Sequence, residues 1–208
     1  VLAYNNHIGD YALCNGASPE KIRRTRIYPC ITEFDEKKVI PKNELEGFPK
    51  TKRNIIMWSR FSYEKKIPFA LKGAIYALEK DSELGLCVIG YGPMYGDIEK
   101  IINESQVKDR ISILGFTPSF RLLSYIHHAD VVLIPLGGFS MLEACLLKKP
   151  IICFDIEWHH ELLTDEYSGY FADYPDSQMV CEKILEALSD PVEAKKRGER
   201  AHQRFKLL

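Results

Sequence analysis

The stretch Ile134–Pro150, IPLGGFSMLEACLLKKP, decides the fold. It reads as the end of a buried strand, a glycine turn, a helix, and a proline opening the next strand. In an open α/β sheet such a strand–turn–helix joint is where ligands bind. Gly137 and Gly138 let the backbone approach a ligand closely. The following helix directs its free N–H groups and positive dipole end at that point, which suits an anion. Glu143 is expected in its first turn. Two readings of that residue stay open on local spacing: Ser140-x-x-Glu143 fits a capping box, and the carboxylate equally fits a ligand contact.

Working outward, strand and helix alternate from Asn54 to the end of the chain. Strands are predicted at 54–58, 84–90, 110–114, 131–135, 150–154 and 170–172. Helices are predicted at 68–80, from Pro93 to about Ser105, from Pro118 to about His128, over 158–163, from Asp176 to Leu188, and from Pro191 onward. Phe69, Leu71, Ile75 and Leu78 form the inward stripe of the 68–80 helix, with Lys72, Glu79 and Lys80 outward. Pro93 suits a first helical position, and Thr117-Pro118 suits an N-cap followed by a first helical residue. Asp190-Pro191-Val192-Glu193 combines an N-cap, a first-turn proline and a capping glutamate. The strands are continuously apolar, so both of their faces are buried. This pattern predicts an α/β, Rossmann-like parallel sheet flanked by helices. Residues 54–208 form that domain, and residues 1–53 form a lead-in, interdomain segment. The lead-in holds a helix or linker over 1–20, a short strand within 24–34 broken by Pro29, and a long loop over 35–53.

Composition narrows the function. The chain has 208 residues and a formal net charge of −1, so no basic field points to nucleic acid. No apolar run is long enough to span a bilayer, and the first residues do not read as a signal peptide. The 6 cysteines form no C-x-x-C. Cys87, Cys145 and Cys153 lie in apolar runs and read as core residues of a reducing compartment. His127-His128 and His159-His160 are adjacent pairs whose rings diverge, which argues against a metal site.

Four candidate contacts lie at carboxyl ends of predicted strands and so share one rim of the sheet. The first is Trp58–Lys66, where Arg60 and Lys65 form a cationic pair suited to phosphates; a solvated loop is the alternative. The second, Gly90-Tyr91-Gly92, lacks a third glycine for the dinucleotide fingerprint, since position 95 is Tyr95, and reads as a tight turn. The third, Gly115-Phe116-Thr117, could meet a flat base. The fourth runs from Gly138 to Glu143. The shared rim argues for a phosphate-bearing ligand.

These residues resemble a known family. Ser59-Arg60-Phe61 with Glu64-Lys65, Val88-Ile89-Gly90-x-Gly92-Pro93, Leu114-Gly115-Phe116, and Tyr125 with Ala129-Asp130-Val131 and Pro135 come in order. Leu142-Glu143-Ala144 with Lys149-Pro150-Ile151-Ile152, then Glu161-Leu162 with Gly169-Tyr170, complete the series. Together they are similar to the C-terminal, nucleotide-sugar-binding half of group 1, family 4-like, retaining glycosyltransferases of the GT-B fold. The resemblance implies an enzyme domain that binds a nucleotide-diphosphate sugar donor, such as a UDP-, GDP- or ADP-sugar, for retaining transfer to an acceptor. It implies that Arg60 and Lys65 hold the diphosphate and stabilise the leaving group, the catalytic contribution of this half. It also implies that Glu143 binds the ribose hydroxyls as the second Glu of E-x7-E. Backbone N–H groups of Gly138, Phe139 and Ser140 meet phosphates and sugar, and Phe116 and Thr117 lie beside the base. No metal or other cofactor is implied. The expected setting is polysaccharide or glycolipid biosynthesis in the cytoplasm, with peripheral membrane association only through the parent enzyme.

Departures from the family pattern are specific. Pro135 stands where the first Glu of E-x7-E belongs. Lys148 replaces a glycine before Lys149-Pro150, and Glu157-Trp158-His159-His160 replaces a glycine-rich turn. The acceptor-binding N-terminal domain is absent from this chain, so alone it is expected to bind donor and transfer little. Two alternatives follow: a nucleotide-sugar epimerase of similar fold, and a degenerate, non-catalytic sugar-nucleotide-binding module motivated by Pro135.

Overall fold

The computed structural model describes residues 1–3, 5–25, 34–164 and 167–207. Six parallel strands make the main sheet: β3 (Arg53–Trp58), β4 (Leu84–Ile89), β5 (Ile111–Leu114), β6 (Val131–Ile134), β7 (Ile151–Phe154) and β8 (Tyr170–Ala172). Their spatial order is β5-β4-β3-β6-β7-β8. The chain therefore starts in the middle of the sheet, runs to one edge, returns, and runs to the other. The reversal lies between β3 and β6, where Ile55 pairs with Val131 and Ile56 with Val132.

Strand alternation sorts the core into two layers. Ile55 and Met57 of β3, Leu86 and Val88 of β4, Leu133 of β6 and Phe154 of β7 face one cluster, with helices α2 (Ile67–Lys80), α3 (Tyr95–Asn103) and α7 (Ser177–Ser189). Ile56, Trp58, Cys87, Ile134 and Cys153 face the other. That layer holds helices α4 (Ser119–His128), α5 (Phe139–Leu146), α6 (His159–Leu162) and α8 (Pro191–Leu207). Both faces are covered, as the continuous apolar strands require, and each fully buried aliphatic side chain stabilises the fold by about 2 kcal/mol. On the predicted 68–80 helix Leu71, Ile75 and Leu78 are buried, while Phe69 is half-buried and meets the Tyr174 ring edge-on. Helices α2 and α7 touch at Gly73, where a Cβ would lie 2.5 Å from Val180 Cβ. Cys87, Cys145, Cys153 and Cys181 are buried and Cys14 is exposed.

The lead-in has structure of its own. Helix α1 (Asn6–Cys14) follows β1 (Leu2–Ala3), which pairs in parallel with β2 (Arg23–Arg24). The backbone N–H groups of Asn6 and His7 donate to the two Glu161 oxygens at 2.7 and 2.8 Å, so a distant carboxylate caps α1. Residues 26–33, with Pro29 and Cys30, lie outside the described residues. The predicted loop over 35–53 contains two short 3-10 turns, and its Leu45 and Phe48 are buried in the second core layer.

Several helix starts differ from the sequence rules. Helix α3 begins at Tyr95 rather than Pro93, because Met94 N–H goes to Phe61 O at 3.0 Å and Tyr95 N–H to Gly92 O at 3.0 Å. Thr117 caps nothing: its hydroxyl donates to Gly115 O at 3.3 Å, and α4 opens at Ser119 after Pro118. Asp190 does accept from Glu193 N–H at 3.0 Å, but the Glu193 carboxylate turns to Arg200 at 2.7 Å instead of back to the cap. Asp176 caps α7 through Met179 N–H.

Candidate donor-binding site

The crevice outside the carboxyl ends of β3 and β6 is the reversal point of the sheet, where open α/β folds bind ligands. Two loops flank it. One leaves β3 as Ser59–Lys66, and the other leaves β6 as Pro135–Gly138.

The β3 loop is held by its neighbour. Phe61 N–H donates to Tyr91 O at 2.9 Å, and Phe61 O accepts from Met94 N–H. Gly90 and Gly92 make this approach possible: Cβ atoms there would sit 1.9 Å from Ser59 O and 2.3 Å from Phe61 O. Both glycines also have positive φ, 151° and 157°. The tight-turn reading of Gly90-Tyr91-Gly92 therefore gains a purpose, which is to fix the segment carrying Arg60.

Arg60 is 69% exposed and pairs with Glu64 at 2.5 Å. Glu64 also accepts from the Ser62 hydroxyl at 2.6 Å. That hydrogen bond, the backbone N–H and Arg60 together pull the Glu64 carboxyl down to about 2. Arg60 thus rests on a carboxylate at the edge of the crevice. Lys65 is half-buried, and its ammonium donates to Leu136 O at 3.4 Å. It lies 3.6 Å from the position of a Cβ on Gly138, directly beside the β6 turn. Burial lowers its pKa, the Arg60 charge adds to this, and Glu64 and Glu157 oppose it.

Helix α5 begins at Phe139 with Gly138 in the cap position and, among the described residues, no side-chain cap hydrogen bond. The capping-box reading of Ser140 and Glu143 is thereby corrected. Ser140 is already inside the helix, and Glu143 lies past its first turn. The carboxylate instead accepts from Trp58 Nε1–H at 2.8 Å through Oε2. Its Oε1 has no partner among the described residues. Burial raises the Glu143 pKa and the Trp58 bond works against it. Such a carboxylate is steered by the indole and keeps one oxygen for a ligand.

Phe116 is 87% exposed after β5, a flat apolar face with nothing of this chain over it among the described residues. Thr117 follows it on the same turn, two strands from the reversal point. The rim therefore brings Lys65, Gly138, Phe139, Ser140 and Glu143 together at the crevice. Arg60 borders them, and Phe116 and Thr117 lie further out.

Two contributors were not visible in the sequence as site residues. Trp58 shares strand parity with Ile56, which points it toward α5, and that parity was the available signal. For His159 the one sign was that Glu157-Trp158-His159-His160 replaces a glycine-rich turn. His159 is fully buried, accepts from Gly137 N–H at 2.8 Å through Nε2, and donates from Nδ1 to Phe154 O at 2.7 Å. Burial lowers its pKa to about 4, so it is neutral at physiological pH. Its neighbour His160 points outward, stacks on Phe171 and bonds Asp155. The rings of the pair do diverge as expected.

Comparison with known proteins identifies the family and the fold. The alpha-D-kanosaminyltransferase of Streptomyces kanamyceticus is 23% identical over 154 residues, covering 72% of this chain and 40% of that protein. The poly(ribitol-phosphate) alpha-N-acetylglucosaminyltransferase of Staphylococcus aureus is 24% identical over 153 residues, covering 70% of this chain and 30% of that protein. The chain thus spans well under half the length of these relatives. Among solved structures, Anabaena HepE in complex with UDP and glucose superposes with a TM-score of 0.81 at 16% identity, over 100% of this chain and 58% of that one. The crystallised C-terminal domain of a Francisella tularensis group 1 glycosyl transferase, LpcC, gives a TM-score of 0.69 at 21% identity, over 81% of this chain and 94% of that one. The family profile of glycosyl transferases group 1 matches residues 41–204, well over half of the chain, so the chain belongs to the group 1 glycosyl transferases as a domain of the GT-B fold.

Proposed function

We propose that this domain binds a UDP-sugar at the β3/β6 crevice and presents it for retaining transfer to an acceptor held by a separate N-terminal domain. The observation that carries the reading is the grouping of a steered carboxylate, a half-buried ammonium and an uncapped helix N-terminus at the sheet's reversal point. Each suits one part of a nucleotide sugar. Glu143 Oε1 accepts from ribose hydroxyls. The N–H groups of Gly138, Phe139 and Ser140 meet phosphate oxygens. Lys65 and Arg60 stabilise the charge that grows on the departing diphosphate as the sugar leaves. Phe116 and Thr117 border the base. Uracil is chosen because UDP occupies the structural neighbour HepE.

The charge is supplied by side chains and backbone, so the proposed chemistry uses no metal or other cofactor; binding unchanged by EDTA is the expected result. Pro135 leaves the usual carboxylate position near the sugar empty of charge, and Glu157, which acts electrostatically on Lys65, is the acidic group on the opposite loop. The family membership disfavours an epimerase. We place the protein in the cytoplasm, with nucleotide sugar and the acceptor domain as partners and no nucleic acid. Among the described residues no helix is long and apolar enough to cross a membrane.

Calorimetric titration of UDP, GDP and ADP, repeated on Glu143→Ala, tests the reading. Binding of UDP at micromolar affinity, weakened about tenfold or more in the variant, is expected. Equal affinity in the two proteins would remove Glu143 from the site.

A further inference from the structure

We infer that His159 is a positioning residue of the donor site: it locks the Leu136–Gly137 peptide in one orientation and so sets both Lys65 and the turn that follows. The inference rests on the donor-site reading above.

One peptide unit carries the argument. Its N–H, on Gly137, donates to His159 Nε2 at 2.8 Å. Its C=O, on Leu136, accepts from Lys65 Nζ at 3.4 Å. The imidazole can make this bond in only one of its two neutral tautomers. Phe154 O lies 2.7 Å from Nδ1, so Nδ1 must carry the hydrogen and Nε2 must be the acceptor. The ring is wholly buried, between the end of β7 and the β6 turn.

The peptide needs such a hold. With glycine after it, no Cβ resists rotation of the plane. Gly137 is also packed against its clamp: a Cβ there would lie 3.0 Å from His159 Nε2 and 2.9 Å from Met141 Cε. In the resting site the C=O is turned toward Lys65 and keeps the ammonium beside Gly138. Once a diphosphate draws Lys65 away, that side of the clamp opens and His159 alone keeps the plane fixed. Gly137 N–H is already committed to the imidazole, so it contributes nothing to phosphate binding. The turn instead offers the next three N–H groups, those of Gly138, Phe139 and Ser140. Neither bond was foreseeable from the adjacent histidines, because 22 residues separate Gly137 from His159.

The test compares UDP and UMP binding by calorimetry on the 208-residue chain, with GDP and ADP in parallel. The variants are His159→Leu, which removes both bonds, and His159→Gln, whose carbonyl restores an acceptor near Nε2. We expect His159→Leu to weaken UDP by about tenfold and UMP by less than about threefold, with His159→Gln recovering most of the loss. If His159→Leu does not fold, His159→Asn takes its place, since its short amide keeps a donor for Phe154 O and cannot reach Gly137. Unchanged UDP affinity, or equal loss for UDP and UMP without rescue by Gln, overturns the inference while leaving the donor site in place. If the wild-type chain binds none of the three diphosphates, the donor-site reading fails and the inference falls with it.

Discussion

The Trp58–Glu143 hydrogen bond is the part of the site that a stability measurement reaches most directly. The indole N–H and the carboxylate meet at 2.8 Å, with Trp58 5% exposed and Glu143 half-buried. A hydrogen bond to a charged group contributes about 1.5–3 kcal/mol net, and partial solvent access at Glu143 argues for the lower half of that range. Trp58→Phe alone confounds this with the smaller ring, which leaves a gap in the core layer shared with α5. A double-mutant cycle with Trp58→Phe and Glu143→Leu removes the packing contribution, because it appears on both sides of the cycle. Urea denaturation of the four proteins should return a coupling energy of about 1.5–2 kcal/mol at pH 7. The sign of the pH dependence is also fixed. Burial raises the Glu143 pKa, so ionisation in the folded state is a cost that is absent at low pH and present above the raised pKa. Removing the indole N–H increases that cost, so Trp58→Phe should lose more stability at pH 7 than at pH 4. A coupling below about 0.5 kcal/mol, or a Trp58→Phe deficit independent of pH, would refute the view that the indole steers a charged carboxylate.

Other tests address separate parts of the rim and its support. Gly92→Ala combines a positive φ with a Cβ 2.3 Å from Phe61 O, so urea unfolding should show a loss of about 2–4 kcal/mol; a loss below about 0.5 kcal/mol would mean the loop relaxes freely. Glu64→Gln releases Arg60 from its resting partner and should improve UDP affinity about two- to threefold at low salt, with the gain shrinking at high salt. Weaker binding would instead show that Glu64 aligns Arg60 for the ligand. His159 has a folded-state pKa of about 4 against 6.5 when free, so its contribution is fully present above pH 6.5 and is lost as pH falls toward 4. The acid side of the stability curve should therefore flatten in His159→Gln by up to about 3 kcal/mol, and an unaltered acid limb would contradict a neutral, buried imidazole.

The sheet was legible because most strands are short apolar blocks bounded by turn residues; polar exceptions include Asn54, buried near the start of β3, and Ser112 in the partly buried edge strand β5. Residues such as Ile55 and Ile56 belong to opposite core layers, yet both are apolar, so the sequence pattern signals burial without needing to say which layer. Cap motifs were less dependable. Ser140-x-x-Glu143 has capping-box spacing, but the helix begins before Ser140 and the glutamate finds a stronger donor in Trp58, 85 residues away. Thr117 and Glu193 likewise satisfy their side chains elsewhere. Local spacing lists what a residue could bond, and tertiary structure supplies the competitor that wins. His159 is the extreme case: its two partners are both backbone atoms, which leave no mark in side-chain chemistry, and the only sign was that a glycine-rich turn had been replaced.

Glu161 has a consequence beyond capping. Its carboxylate holds the first turn of α1, and its own backbone lies two residues from His159 on the single turn of α6. Arg204 braces that turn from α8 through Glu161 O at 3.1 Å. The linkage from α1 to the Gly137 peptide thus consists of one carboxylate, one helical turn and one imidazole. Every joint in that linkage is a hydrogen bond or a single helical turn, so the first helix and the peptide beside the lysine share one contiguous support, which the α8 arginine braces from outside.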